Sequence, residues 1–172
     1  ETINLDSSKW ILKEFEEVQK KYFVNIEKYQ FHEIASLIYH FTWHTFCDWY
    51  IEFIKSDFKN LDKSQETKNV SGWVFVQTLK LLHPIMPFIT EKLWLSLVDK
   101  ESFLMSQNFL KINFDQSFDE SKKYILKIIE ILTSLRNLRA DLNISYKNEI
   151  DIIVDTKNED LIDFINNYKV EF

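Results

Sequence analysis

A single glycine and two prolines in 172 residues, Gly72, Pro84 and Pro87, constrain this chain more than any other feature of it. Glycine supplies the left-handed backbone that tight hairpins need, and proline punctuates loops, so a chain this poor in both has few places to turn. Long helices with few connections meet that condition, and a sandwich or barrel of many short strands does not. The fold class expected is all-α, an antiparallel helix bundle large enough for one hydrophobic core.

Apolar spacing predicts five helices. The first starts at an Asp6 or Ser7 cap and carries Ile11, Phe15, Val18, Tyr22, Ile26 and Tyr29 on one stripe. The second runs unbroken from Phe31 to Lys55. At 100° per residue its main face collects Phe31, Ile34, Ala35, Ile38, Thr42, Phe46, Trp49 and Phe53, with Tyr39, Trp43 and Tyr50 on one flank and Phe41 on the other. Residues 56–69 lose the period and read as a solvent loop whose later part can begin a third helix, which Pro84 stops near His83. Pro87 opens a fourth, with Leu93, Trp94 and Leu97 inward. Residues 99–116 read as a long connection over the bundle. A fifth helix from Ser117 or Asp119 buries Tyr124, Ile128, Ile131, Leu135, Leu138 and Leu142.

Beyond it, EIDIIVD alternates like a short strand and EDLIDFINNY like a short helix, so residues 1–146 are expected to form the bundle and 147–172 the start of a truncated α/β appendage. The formal charge of −6 excludes a generally basic polyanion binder, which leaves room only for a local nucleic-acid site. Cys47 is the one cysteine and has no disulfide partner within the chain. No apolar run reaches roughly 18 residues, so no membrane span is expected.

Several residue sets deserve a chemical reading. His40, His44 and Asp48 recur every four positions, but donors in a row on one helix cannot complete a tetrahedron, and no metal site is expected. Asp48 and Glu52 read as carboxylates that orient the helix, since no nucleophile or phosphate cradle accompanies them. His83 reads as a helix C-terminal cap, and Gly72 as a point of close packing. Arg136 and Arg139, the only arginines, lie one turn apart and suit a phosphate backbone, while Trp43 could stack on a base.

FTWHTFCDWYIEFIK at 41–55, LLHPIMPFITEKLW at 81–94 and LRNLRADLNIS at 135–145 together resemble the C-terminal anticodon-binding bundle of the valyl-tRNA synthetases, a class I family. The resemblance covers most of residues 8–155. It implies a non-catalytic module of a longer cytoplasmic, monomeric enzyme that joins valine to tRNA(Val) with ATP and magnesium. Its partners would be the tRNA anticodon arm and the catalytic domain of the same chain. No catalytic residue is expected here. The tRNA-facing candidates are Arg136, Arg139, Trp43 and Asp48. An isoleucyl-type bundle and a helical protein-interaction scaffold are the alternative readings.

Overall fold

The computed structural model describes residues 3–55, 57–59, 61–145, 147 and 148. The chain divides into two compact units, Glu1–Leu132 and Thr133–Phe172. Every regular element among the described residues is helical. The strand expected at 149–155 and the helix expected at 159–168 lie outside the described residues.

The first unit is built around α1, Asp6–Glu27. Ile11, Phe15, Val18 and Tyr22 are buried as the spacing predicts, but Trp10, Leu12, Glu16 and Gln19 are buried too, so α1 is covered on more than one face. Neighbours pack on it through tilted and edge-on rings: Phe15 meets Phe41 at 5.5 Å and Trp73 at 5.7 Å, and Trp10 meets Phe53 at 5.8 Å. No side chain caps its start. Instead Glu66, in the later helix Leu61–Leu82, accepts hydrogen bonds from the amides of Asn4 and Leu5 at 3.0 and 2.9 Å. At the other end Ile26 and Tyr29 are exposed, against expectation. Tyr29 has φ 55° and the Gln30 amide bonds back to the Asn25 carbonyl, so the helix has already ended in a left-handed cap and the stripe stops with it.

The unbroken helix expected from Phe31 to Lys55 is three pieces: α2 (Phe31–His40), a π-helical segment Phe41–Tyr50, and a single turn α3 (Ile51–Ile54). A π-helix bonds i to i+5 and widens each turn beyond the 3.6 residues of an α-helix, so a wheel drawn at α pitch misassigns its faces. Phe41 and Tyr50, placed on flanks by that wheel, are buried, with Ile54 continuing the line. Phe46 lies against Tyr50 at 5.5 Å, giving an inward series stepped by five and four. Phe31 and Ala35 are exposed.

After a 3₁₀ turn at Asp57–Lys59, α4 runs Leu61–Leu82, so most of the expected solvent loop is helix. Its polar residues show why the period is hard to see. Thr67, Gln77 and Thr78 are buried beside Val70, Val74, Leu79 and Leu81. Gly72 is not a close-packing point, because a Cβ built there meets nothing within 4 Å.

The next helix, α5 (Pro87–Leu97), starts at proline as predicted. Trp94 is buried with Leu79 and Leu104, whereas Leu97 is 67% exposed. Glu91 and Trp94 clamp the following connection: Glu91 accepts from the Leu104 and Met105 amides at 2.8 and 3.3 Å, and the Trp94 indole donates to the Ser102 carbonyl at 3.0 Å. His83 does not cap a carbonyl. Its Nδ1 lies 2.8 Å from the Thr90 hydroxyl, which lies 2.8 Å from the Met86 carbonyl, and its Nε2 lies 3.7 Å from the Glu91 carboxylate.

A 3₁₀ turn at Leu104–Ser106 leads into an extended run that is strapped to α1. Gln19 donates to the Leu110 carbonyl at 2.8 Å and accepts from the Ile112 amide at 3.2 Å, and Glu16 accepts from the Phe114 amide at 3.3 Å. The long connection expected over the bundle is therefore a fixed part of it. The last helix among the described residues, α6, spans Ser117–Asp141. Within the first unit its buried stripe is Ser121, Ile125, Ile128 and Leu132, rotated from the one expected, and Lys122 pairs with Glu14 and Glu17 of α1 at 3.2 and 2.7 Å.

In the second unit Leu138 and Leu142 are exposed rather than buried. There α6 ends at Asp141 and the chain leaves it through Asn143, with φ 53°, while the Ile144 amide bonds to the Arg139 carbonyl at 2.9 Å. Asparagine tolerates this left-handed position better than most residues, which fits its place at the cap.

Candidate nucleic-acid interface

Each unit holds two of the four predicted tRNA-facing residues. In the first, Trp43 is 55% exposed, so it is available for stacking rather than committed to the core. Asp48 is exposed and its carboxylate lies 3.2 Å from His44 Nδ1. Glu52 pairs separately with Lys55 at 2.5 Å, so the two acids serve different partners and form no carboxylate dyad. Among the described residues no group of three His, Cys, Asp or Glu side chains is placed to hold a metal ion. Cys47 is exposed as a residue, and partial burial of its sulfur, with the neighbouring Asp48 charge, pushes its thiol pKa up.

An exposed ridge of rings crosses from the end of α2 into the π segment. Tyr39 contacts His40 at 5.8 Å and His44 at 6.0 Å, and His40 and His44 lie 5.3 Å apart with planes inclined by 30°. All three side chains are exposed. Sequence reasoning had weighed the two histidines only as metal ligands. The i, i+4 spacing that would line up ligands also lines up flat faces.

His40 also lines a cleft of about 500 Å³ between the second half of α1 and α2. Val24 and Leu37 give it apolar lining, and Lys20, Lys21 and Asn25 contribute polar groups from α1. Glu33 and Ser36 complete the α2 side. Lys20 is shared with the buried Glu16, while Lys21 is exposed. These residues were missed because nothing in the sequence pairs a lysine at 20 or 21 with a histidine at 40. The only available signal was the Lys20-Lys21 doublet beside an apolar stripe.

In the second unit Arg136 is exposed. Arg139 is partly exposed and its guanidinium donates to the carbonyls of Ser145 and Asn148 at 2.5 and 2.7 Å. It therefore holds the turn after α6 together, a local duty the sequence did not disclose.

A family model described as the anticodon-binding domain of tRNA ligase matches residues 8–154. Among curated proteins, the valine–tRNA ligase of Pelagibacter ubique (strain HTCC1062) is 38% identical over 159 residues, and that of Staphylococcus haemolyticus (strain JCSC1435) 33% over 157 residues; each alignment covers 90% of this chain. The valine–tRNA ligase of Staphylococcus epidermidis is 34% identical over 155 residues. The chain spans 18% of the length of these relatives. A match of this extent, on a helical chain with exposed rings and a partly cationic cleft, places the chain in the family of anticodon-binding domains of tRNA ligases.

Proposed function

We propose that this chain is the anticodon-arm-binding part of a valine–tRNA ligase, a cytoplasmic, monomeric enzyme that joins valine to tRNA(Val) at the expense of ATP, with magnesium. The observation that carries the reading is the family match over residues 8–154, together with relatives that are valine–tRNA ligases at 32–38% identity. The chemistry belongs to the catalytic domain of the same chain, and these helices position the tRNA. Support for a neighbouring domain comes from α5 and its flanks, where Phe88, Ile89, Leu97 and Phe103 are 90, 52, 67 and 58% exposed, more apolar surface in one region than an isolated helix bundle ordinarily leaves wet.

Within that role Arg136 contacts the phosphate backbone, Arg139 shapes the turn beside it, and Trp43 and Asp48 form a second contact. The test is Arg136→Glu in the intact ligase. The KM for tRNA should rise about tenfold while valine-dependent pyrophosphate exchange stays at the parent rate, because the exchange reaction needs no tRNA. Unchanged tRNA kinetics would remove Arg136 from the interface.

A further inference from the structure

We infer that the cleft between α1 and α2 takes one unpaired nucleotide of an RNA strand, its phosphate on Lys21 and its base against the ring of His40. This deepens the tRNA-binding reading and rests on it. The argument is one of size, lining and charge. A volume of about 500 Å³ falls in the range of small-ligand sites and exceeds what a side chain or a few waters would need. Val24 and Leu37 can take the face or edge of a base, while Asn25 and Ser36 offer groups that hydrogen-bond to base edges.

Charge favours the same occupant. The chain as a whole carries −6, yet this cleft is lined by two lysines, of which Lys20 is held on Glu16 and Lys21 is exposed, and by a single acid, Glu33, whose carboxylate lies 3.2 Å from His32. An exposed lysine, Lys21, at the edge of an apolar seat suits a phosphate beside a base, which is the outline of a nucleotide. The rings supply continuity. His40 lines the cleft and lies 5.3 Å from His44 and 5.8 Å from Tyr39, so a base seated there is followed along the ridge by two further flat faces for the next bases of a single strand. A duplex would present its bases edge-on inside the stack and could not use them.

The test uses the intact ligase and two probes, a tRNA(Val) transcript and its isolated anticodon stem-loop, with binding measured across a salt series. Lys20 is left in place because it neutralises the buried Glu16. Lys21→Glu should weaken binding of both probes about tenfold and lower the salt slope by about one, as loss of one phosphate contact requires. His40→Ala should weaken binding several-fold without changing that slope, the signature of lost stacking. A stem-loop carrying 4-thiouridine should crosslink to the peptide containing Tyr39 and His40. Circular dichroism and Tm would confirm that both variants remain folded. Parent-like binding by both variants, with Arg136→Glu impaired, would overturn the cleft assignment and leave the tRNA reading standing. Failure of the parent ligase to bind either probe would overturn both.

Discussion

Glu16 shows how much one buried charge can organise. Its side chain is fully buried, which alone would raise its pKa, yet hydrogen bonds from Lys20, Lys13 and the Phe114 amide outweigh the desolvation and hold it below the ordinary carboxylate value. A depressed native pKa means the unfolded chain binds the proton more readily. The stabilisation is therefore complete above the unfolded value of about 4.3 and is lost as pH falls through the native one. Glu16→Gln should flatten the acid limb of a Tm-versus-pH curve in that window and leave its slope near neutrality unchanged. Glu16→Ala, which strips the Phe114 amide of its acceptor, should cost about 2 kcal/mol in urea denaturation. The single glycine tells a complementary story. Gly72 lies mid-helix with open space around its Cβ position, while Tyr29 occupies a left-handed cap that glycine would take without strain. Gly72→Ala and Tyr29→Gly should each raise stability by about 0.5–1 kcal/mol, measured by chemical denaturation. A loss at Gly72 would show that its backbone freedom is used in some other state.

At the scale of elements, what could be read in advance followed from the assumed winding. On α1 the α pitch holds, and Ile11, Phe15, Val18 and Tyr22 are where the spacing puts them. Between Phe41 and Tyr50 the winding is π, and the same arithmetic put Phe41 and Tyr50 on the flanks of the apolar face rather than at its buried centre. Composition does not announce that change. In α4 the obstacle was chemical: Thr67 and Gln77 are buried polar groups that look like solvent-facing positions to any hydrophobic count. The Glu91-x-x-Trp94 pair was legible as a motif but its work was not, because the groups it holds, Ser102, Leu104 and Met105, are backbone. Any residues there would offer the same amides and carbonyls. Glu91→Ala should therefore release the 99–106 connection, seen as faster amide exchange at Leu104 and Met105, and lower Tm by several degrees. Protection unchanged at those amides would mean that the packing of Leu104 against Trp94 and Leu79 suffices alone.

For the whole molecule, class and family were readable because few architectures accept so little glycine and proline, and because the FCDWY and HPIMPF stretches are distinctive words. The candidate site was only half readable. Arg136 and Trp43 stand out by residue type alone, whereas the cleft exists only once Lys21 and His40, nineteen positions apart, meet across two helices. The strap between α1 and residues 110–114 bears on how such a chain can vary over time. Gln19 grips the Leu110 carbonyl and the Ile112 amide as a neighbouring strand would, and Glu16 takes the Phe114 amide two positions on. An inserted or deleted residue between Leu110 and Phe114 would throw the alternation out of phase and orphan at least one grip. Just upstream the chain is held as well, by Lys80 on the Asn108 carbonyl at 3.1 Å and by Phe109 against Phe23 at 5.6 Å, so length drift among relatives is expected to avoid the whole run from Asn108 to Phe114.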